Sequence, residues 1–156
     1  MLRELLDPNA ILLHYDAQDA EDVVRQLSAR LVAGGYVHES FADAALAREA
    51  ELPTGLVLGG DINAAIPHTD VEHVIRPAVA LATLTKPVTF RHMIDPTEEV
   101  PVQIVFLLAL EQPKSQVAML QEVAGVLQDA RLIDELMAAS SVAEIQAALA
   151  QCDRDV

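Results

Sequence analysis

Apolar residues recur at helical spacing through residues 19–33, where Val23, Val24, Leu27, Leu31 and Val32 fall on one face. Asp19 suits the N-cap of this helix. Glu21 and Asp22 complement the positive end of its dipole, and Gly34-Gly35 stops it. A second helix is predicted over about residues 42–51, with Ser40 and Asp43 as a capping box and Pro53 ending the run. Helical spacing returns over residues 115–128 through Val117, Leu120, Val123, Val126 and Leu127. A last helix is predicted over about residues 141–150, where Ser141 and Glu144 form a capping box ahead of Ile145 and Leu149.

Between these helices the pattern shortens. Residues 79–84 and 88–90 predict two strands separated by a Lys86-Pro87 corner, and residues 64–66 a short strand. Residues 102–110 (VQIVFLLAL) form a nearly unbroken apolar run, as a central strand covered on both faces requires. Helices before, between and after strands predict an α/β fold with a single mixed β-sheet flanked by helices. No repeat, low-complexity tract or long linker divides the chain, so the 156 residues are expected to form one domain.

Composition narrows the function. The chain carries 10 Lys and Arg against 24 Asp and Glu, a formal net charge of −14, which argues against nucleic acid or an anionic membrane surface as partner. Its one cysteine, Cys152, excludes an internal disulfide framework and a cysteine-rich zinc site, and in the polar tail it reads as a free surface thiol. Charges and Pro8 interrupt the first ten residues too early for a secretory signal. The longest apolar stretch, residues 100–110, is about half the ~20 residues that cross a bilayer. A soluble, cytoplasmic protein is expected, with no direct membrane insertion.

Against that acidic background, residues 53–67 (PTGLVLGGDINAAIP) contain one ionisable side chain, Asp61, together with three glycines and two prolines. Such a segment makes tight turns and exposes backbone N–H groups. It leads into His68, which follows the short apolar strand directly, at the carboxyl end where α/β sheets tend to place ligands. An imidazole of ordinary pKa ~6.5 is largely neutral near pH 7, so one ring nitrogen can act as a nucleophile. Arg48, late on the second predicted helix, supplies a guanidinium that can grip phosphoryl oxygens with paired hydrogen bonds. Thr54 adds a hydroxyl beside Gly55. Other chemistries lack their residues: Gly59-Gly60 has no phosphate-loop spacing or lysine, no G-x-S-x-G elbow occurs, and His68, Asp70 and His73 lack the helical spacing of an H-E-x-x-H metal pair. Neither cofactor nor metal is expected.

Arg48-Glu49, then Pro53-Thr54-Gly55, then Ala65-Ile66-Pro67-His68 resembles the phosphoacceptor signature of fructose/mannitol-type enzyme IIA domains of the bacterial phosphoenolpyruvate:sugar phosphotransferase system (PTS). The likeness runs over about residues 5–138, and the segments PHTDVEHV, FRHM, VFLLALEQPKSQ and LQEV are similar to the galactitol-type subgroup. The resemblance implies the fructose/mannitol-type IIA fold, a mixed sheet flanked by helices with the histidine at the sheet edge. It implies a phosphocarrier in which phospho-HPr donates a phosphoryl group to His68. A cognate IIB protein would accept it, and a membrane IIC component would couple it to uptake of a sugar or polyol such as galactitol. Arg48 takes the role of stabilising the phosphate, and Thr54 lies in the contacting loop. Thr69 stands where a small residue commonly follows the histidine. The second histidine that many relatives carry after the central strand has no counterpart, since no histidine follows His92; Gln116, near the matching place, offers a neutral hydrogen bond instead. Two competitors remain: a regulatory, non-transport protein whose histidine phosphorylation controls binding to another target, and a binding module of this fold that no longer accepts phosphate.

Overall fold

The computed structural model describes residues 2–154, the side chains at 113, 115 and 152–154 excepted, so the reading of Cys152 as a free thiol lies outside the described residues. In chain order the elements are α1 (Leu2–Leu5), β1 (Leu6–Tyr15), α2 (Ala20–Ala33), α3 (Phe41–Glu51), β2 (Gly55–Leu56) and β3 (Ala64–Ala65). A 3-10 turn (Val71–His73) precedes β4 (Ala78–Arg91), β5 (Glu99–Ala109), α4 (Pro113–Leu127), α5 (Ala130–Ala138) and α6 (Val142–Arg154). The five strands form one sheet in the order β1-β4-β5-β3-β2. β1 runs parallel to β4 and β3 parallel to β5, while β4 with β5 and β2 with β3 are antiparallel. The expected mixed sheet is present.

Alternation along β5 builds a core on each face. Ile104, Phe106 and Leu108 point to the side covered by α4, α5 and α6, where they meet Met119, Val123, Leu136 and Ile145. Val105, Leu107 and Ala109 point to the side covered by α2 and α3, with Val23, Leu27, Leu31 and Phe41. At the start of β4 the second side shows Ala78, Ala80 and Ala82, small residues that let α2 approach the sheet closely, before Leu84, Val88 and Phe90 fill it further along, while Val79 and Leu81 fill the first. Two buried faces explain why the residues of β5 read as one apolar run.

Local chemistry accounts for most boundaries. Asp19 caps α2 by accepting from the Asp22 N–H, and Ser141 Oγ accepts from the Glu144 N–H at the start of α6. The capping box predicted at Ser40 does not form: the Ser40 hydroxyl lies 2.8 Å from His73 Nδ1 instead, tying the start of α3 to the 3-10 turn. The predicted corner at Lys86-Pro87 is an irregularity inside one continuous β4, where the register passes from Thr83 opposite Ile104 to Val88 opposite Val102. Proline lacks the N–H for a ladder bond, and a bulge accommodates it. Besides the short α1 and β2, two longer elements were hidden in the sequence. β1 is interrupted by Asp7-Pro8-Asn9, where Asp7 Oδ1 accepts the Asn9 N–H and the register to β4 slips. α5 has nine residues, with Asp129 accepting from the Arg131 and Leu132 N–H groups and Leu132, Ile133 and Leu136 buried.

Candidate functional site

β3 hydrogen-bonds to β5 on one side and β2 on the other, and the chain then continues along β5. The Leu108 N–H donates to the Pro67 carbonyl over 3.1 Å, and His68 pairs with Leu108 in a single parallel bridge. His68 therefore sits at the carboxyl end of two parallel strands, its backbone held by the central one. Pro67 narrows its surroundings further, since a residue preceding proline is confined to extended conformations; this restricts how the Ile66 carbonyl points.

That carbonyl sets the chemistry of the imidazole. His68 Nδ1 is 2.9 Å from Ile66 O. A carbonyl only accepts, so Nδ1 carries the proton and Nε2 presents a bare lone pair. Burial holds the His68 pKa below its ordinary value of 6.5, with the Arg48 guanidinium pushing the same way; the Ile66 carbonyl and Asp70 pull against them. Neutral pH thus finds an uncharged ring with one nucleophilic nitrogen.

Arg48 and Gln116 reach the segment just after His68 from opposite faces of the sheet. Arg48 Nη1, from the last turn of α3, donates to Asp70 Oδ1 over 3.2 Å. The Asp70 side chain is 69% exposed, so this pair is worth only about 0–1 kcal/mol and yields readily to a stronger anion. Gln116, from the first turns of α4, donates through Nε2 to the Thr69 carbonyl over 3.4 Å. Thr54 lies behind the site and is 4% exposed. Its Oγ1–H donates to Glu49 Oε1 over 2.5 Å, its N–H donates to Glu49 Oε2 over 2.6 Å, and its Oγ1 accepts the Ile66 N–H over 3.2 Å.

Glu49 and Asp70 are the residues that sequence reasoning did not assign to the site. Glu49 had a signal, its place in the Arg48-Glu49 pair. Burial pushes its carboxyl up to about 7, although the two bonds from Thr54 act in the opposite direction. In the sequence Asp70 stands out only beside His68 and His73, without metal-ligand spacing. Among the described residues no group of three or more His, Cys, Asp or Glu is arranged to hold a metal. His73 is engaged with Ser40, and His92 Nδ1 accepts the Ile94 N–H at the start of the β4–β5 connection. Of the aliphatic residues in the glycine-rich loop, Leu56 and Leu58 pack against the core and Val57 is 53% exposed, while Val117, beside Gln116, is 58% exposed. No described helix is long and apolar enough to cross a membrane.

Comparison with known proteins bears on this arrangement. The family model described as phosphoenolpyruvate-dependent sugar phosphotransferase system, EIIA 2, matches residues 4–152. The galactitol-specific EIIA component of the PTS in Escherichia coli strain K12 is 33% identical over 119 residues, which cover 76% of this chain and 78% of that protein. The crystal structure of IIA mannitol from Escherichia coli matches with a TM-score of 0.75 and 26% identity, over 92% of this chain and 98% of that one. Enzyme IIA mannitol of Escherichia coli in its complex with phosphorylated enzyme IIB mannitol matches with a TM-score of 0.75 and 27% identity, over 94% of this chain and 97% of that one.

Proposed function

The chain belongs to the EIIA 2 family of the phosphoenolpyruvate-dependent sugar phosphotransferase system, whose members are phosphotransferase components that pass phosphate to a IIB component, and on that premise we propose that His68 is the phosphoacceptor, charged by phospho-HPr and discharged to a galactitol-type IIB protein. The observation that carries this reading is the Nδ1–H bond to the Ile66 carbonyl, which leaves Nε2 as the free nucleophile.

In the forward step the Nε2 lone pair attacks the phosphorus of the donor phosphohistidine in line with the bond that breaks. The new P–N bond forms at Nε2 as the old P–N electron pair returns to the donor imidazole. No proton leaves His68. The ring gains positive character on phosphorylation, and the Ile66 carbonyl dipole stabilises it through Nδ1–H. Arg48 assists twice: it favours the neutral ring beforehand, and it attracts the phosphoryl oxygens on exchanging its exposed bond with Asp70. The side-chain amide of Gln116, at the other side of the segment, offers an uncharged N–H to the phosphoryl group. Exposed Val57 and Val117 suit a shallow apolar contact shared by donor and acceptor, which must each bind and leave. Coupling to a membrane IIC component and to polyol uptake follows from the IIB step. The cytoplasm is the compartment in which these partners meet the chain, and we take residues 1–156 as one domain.

The test is incubation with phosphoenolpyruvate, enzyme I and HPr, followed by intact-mass measurement and addition of galactitol-type IIB. A single acid-labile phosphoryl adduct is expected, absent from His68→Ala and removed by IIB. Unchanged labelling of His68→Ala overturns the site. An adduct that no IIB removes favours the regulatory role, and an unlabelled wild-type protein beside a competent control IIA favours a module that no longer accepts phosphate.

A further inference from the structure

We infer that Glu49 is a positioning residue for His68, acting through Thr54 and the Ile66 backbone to hold the imidazole in the tautomer with Nε2 free. The inference deepens the reading of His68 as the phosphoacceptor and rests on it. A half-buried carboxyl on the last turn of α3 has no part in the transfer chemistry itself, yet each of its oxygens is committed. Oε1 accepts the Thr54 hydroxyl, and Oε2 accepts the Thr54 N–H.

The direction of each bond matters. Because the Thr54 O–H is spent on Glu49, the lone pairs of Thr54 Oγ1 face the Ile66 N–H, which donates to it over 3.2 Å. Ile66 is then clamped on both sides. Its N–H is held by Thr54, and beyond it the Pro67 carbonyl is held by the Leu108 N–H. Between these two anchors lies one carbonyl, that of Ile66, and it receives His68 Nδ1–H. The Ile66 N–H and carbonyl belong to different peptide units, so no proton or polarisation passes along this chain. What passes is orientation: Thr54 fixes one end of Ile66, the following proline restricts its ψ, and the carbonyl is left aimed at the imidazole. Nδ1–H is the only tautomer that satisfies that carbonyl.

Other charged groups near this place do not substitute for Glu49. Arg48 faces Asp70, and Glu51 lies exposed at the end of α3. Arg91 and His92 lie where β4 meets Gly55, with the His92 ring turned to backbone N–H groups of its own turn. Burial raises the Glu49 pKa and the Thr54 bonds oppose it, with no contribution from any of these groups.

A test needs variants that alter the bonds and keep the shape. Glu49→Gln leaves one acceptor oxygen where Thr54 presents two donors, so one bond is lost. Thr54→Val removes the hydroxyl, and Thr54→Ser restores it. The first readout is the 15N shift of both His68 ring nitrogens in the intact, unphosphorylated protein at about pH 8. Wild type and Thr54→Ser are expected to show Nδ1 protonated and Nε2 bare, and Glu49→Gln and Thr54→Val a mixture of tautomers. The second readout is phosphorylation by phospho-HPr, with kcat falling about tenfold or more in Glu49→Gln and Thr54→Val while KM stays within about twofold. A merely structural role would leave the tautomer unmoved or make Thr54→Ser and Thr54→Val behave alike, and either result overturns the inference. Should Glu49→Gln fail to fold, the two Thr54 variants decide alone. A tautomer that follows Glu49 in a protein that accepts no phosphate would sustain the positioning role and refute the phosphoacceptor reading, so the two failures are distinguishable.

Discussion

Removing the Glu49 charge tests the electrostatics of the site most directly, because its consequence has a sign and a size. In the folded protein this carboxyl ionises at about 7, against 4.5 when unperturbed. Between those two values the folded protein keeps a proton that the unfolded chain has already released. Stability from this group is therefore fully present below about pH 4.5 and is lost as pH rises through about 7. The separation corresponds to about 3 kcal/mol, an order-of-magnitude figure for a carboxyl that is mostly buried. Urea unfolding of wild type and Glu49→Gln at intervals from about pH 5 to pH 8 measures it. Glutamine cannot titrate, so the stability difference between the two proteins should drift by about 2–3 kcal/mol across that range, wild type losing ground toward pH 8. Gln also sacrifices a Thr54 bond, but that offset is independent of pH and leaves the slope intact. His68 pulls in the opposite direction, since its lowered folded pKa makes stability rise with pH up to about 6.5, yet it is present in both proteins and cancels. A difference constant to within about 0.5 kcal/mol over the range would refute the claim that burial, rather than the Thr54 bonds, governs this carboxyl.

Three further outcomes follow from the same geometry. Thr54→Val should cost about 2–4 kcal/mol in urea unfolding, since it strands the Ile66 N–H and one oxygen of Glu49; a loss under about 1 kcal/mol would mean that neither bond matters. Gly55→Ala should lower the melting temperature, because a Cβ there would lie 2.5 Å from the Arg91 carbonyl oxygen, and parting β2 from that strand end costs about 1–3 kcal/mol; an unchanged melting temperature would show the strand end giving way freely. NMR titration of His68 should give a midpoint below 6.5, and Arg48→Gln should raise it toward that value; a midpoint that does not move removes Arg48 from the field of the imidazole.

Much of the layout was legible because it depends on near neighbours. The stripe of Val23, Leu27 and Leu31 requires a helix whatever packs on it, and the run through Val105 and Phe106 requires a strand with two dry faces. The gap in acidic charge before His68 and the order Arg48-Glu49, Thr54-Gly55, Pro67-His68 pointed to the proposed site. β1 escaped because Asp7-Pro8-Asn9 breaks its alternation, and only pairing with β4 across a register slip makes it a strand. α5 is too short for periodicity to stand out beside the end of α4.

The amino-acid sequence by itself determined α2, α3, α4, α6, the central strand, the mixed α/β architecture and the identity of the nucleophile candidate, since periodicity, capping and residue chemistry act over a few positions. The tertiary structure alone decided what surrounds that nucleophile. Arg48 meets Asp70 across 22 positions and Gln116 meets Thr69 across 47, contacts that exist only because α3 and α4 pack on opposite faces of one sheet. Even Glu49 and Thr54, five positions apart, meet only because the chain turns sharply after α3. Desolvation is likewise a property of the assembled protein: burial raises the Glu49 pKa and lowers that of His68, while the Ile66 carbonyl leaves a single imidazole nitrogen free.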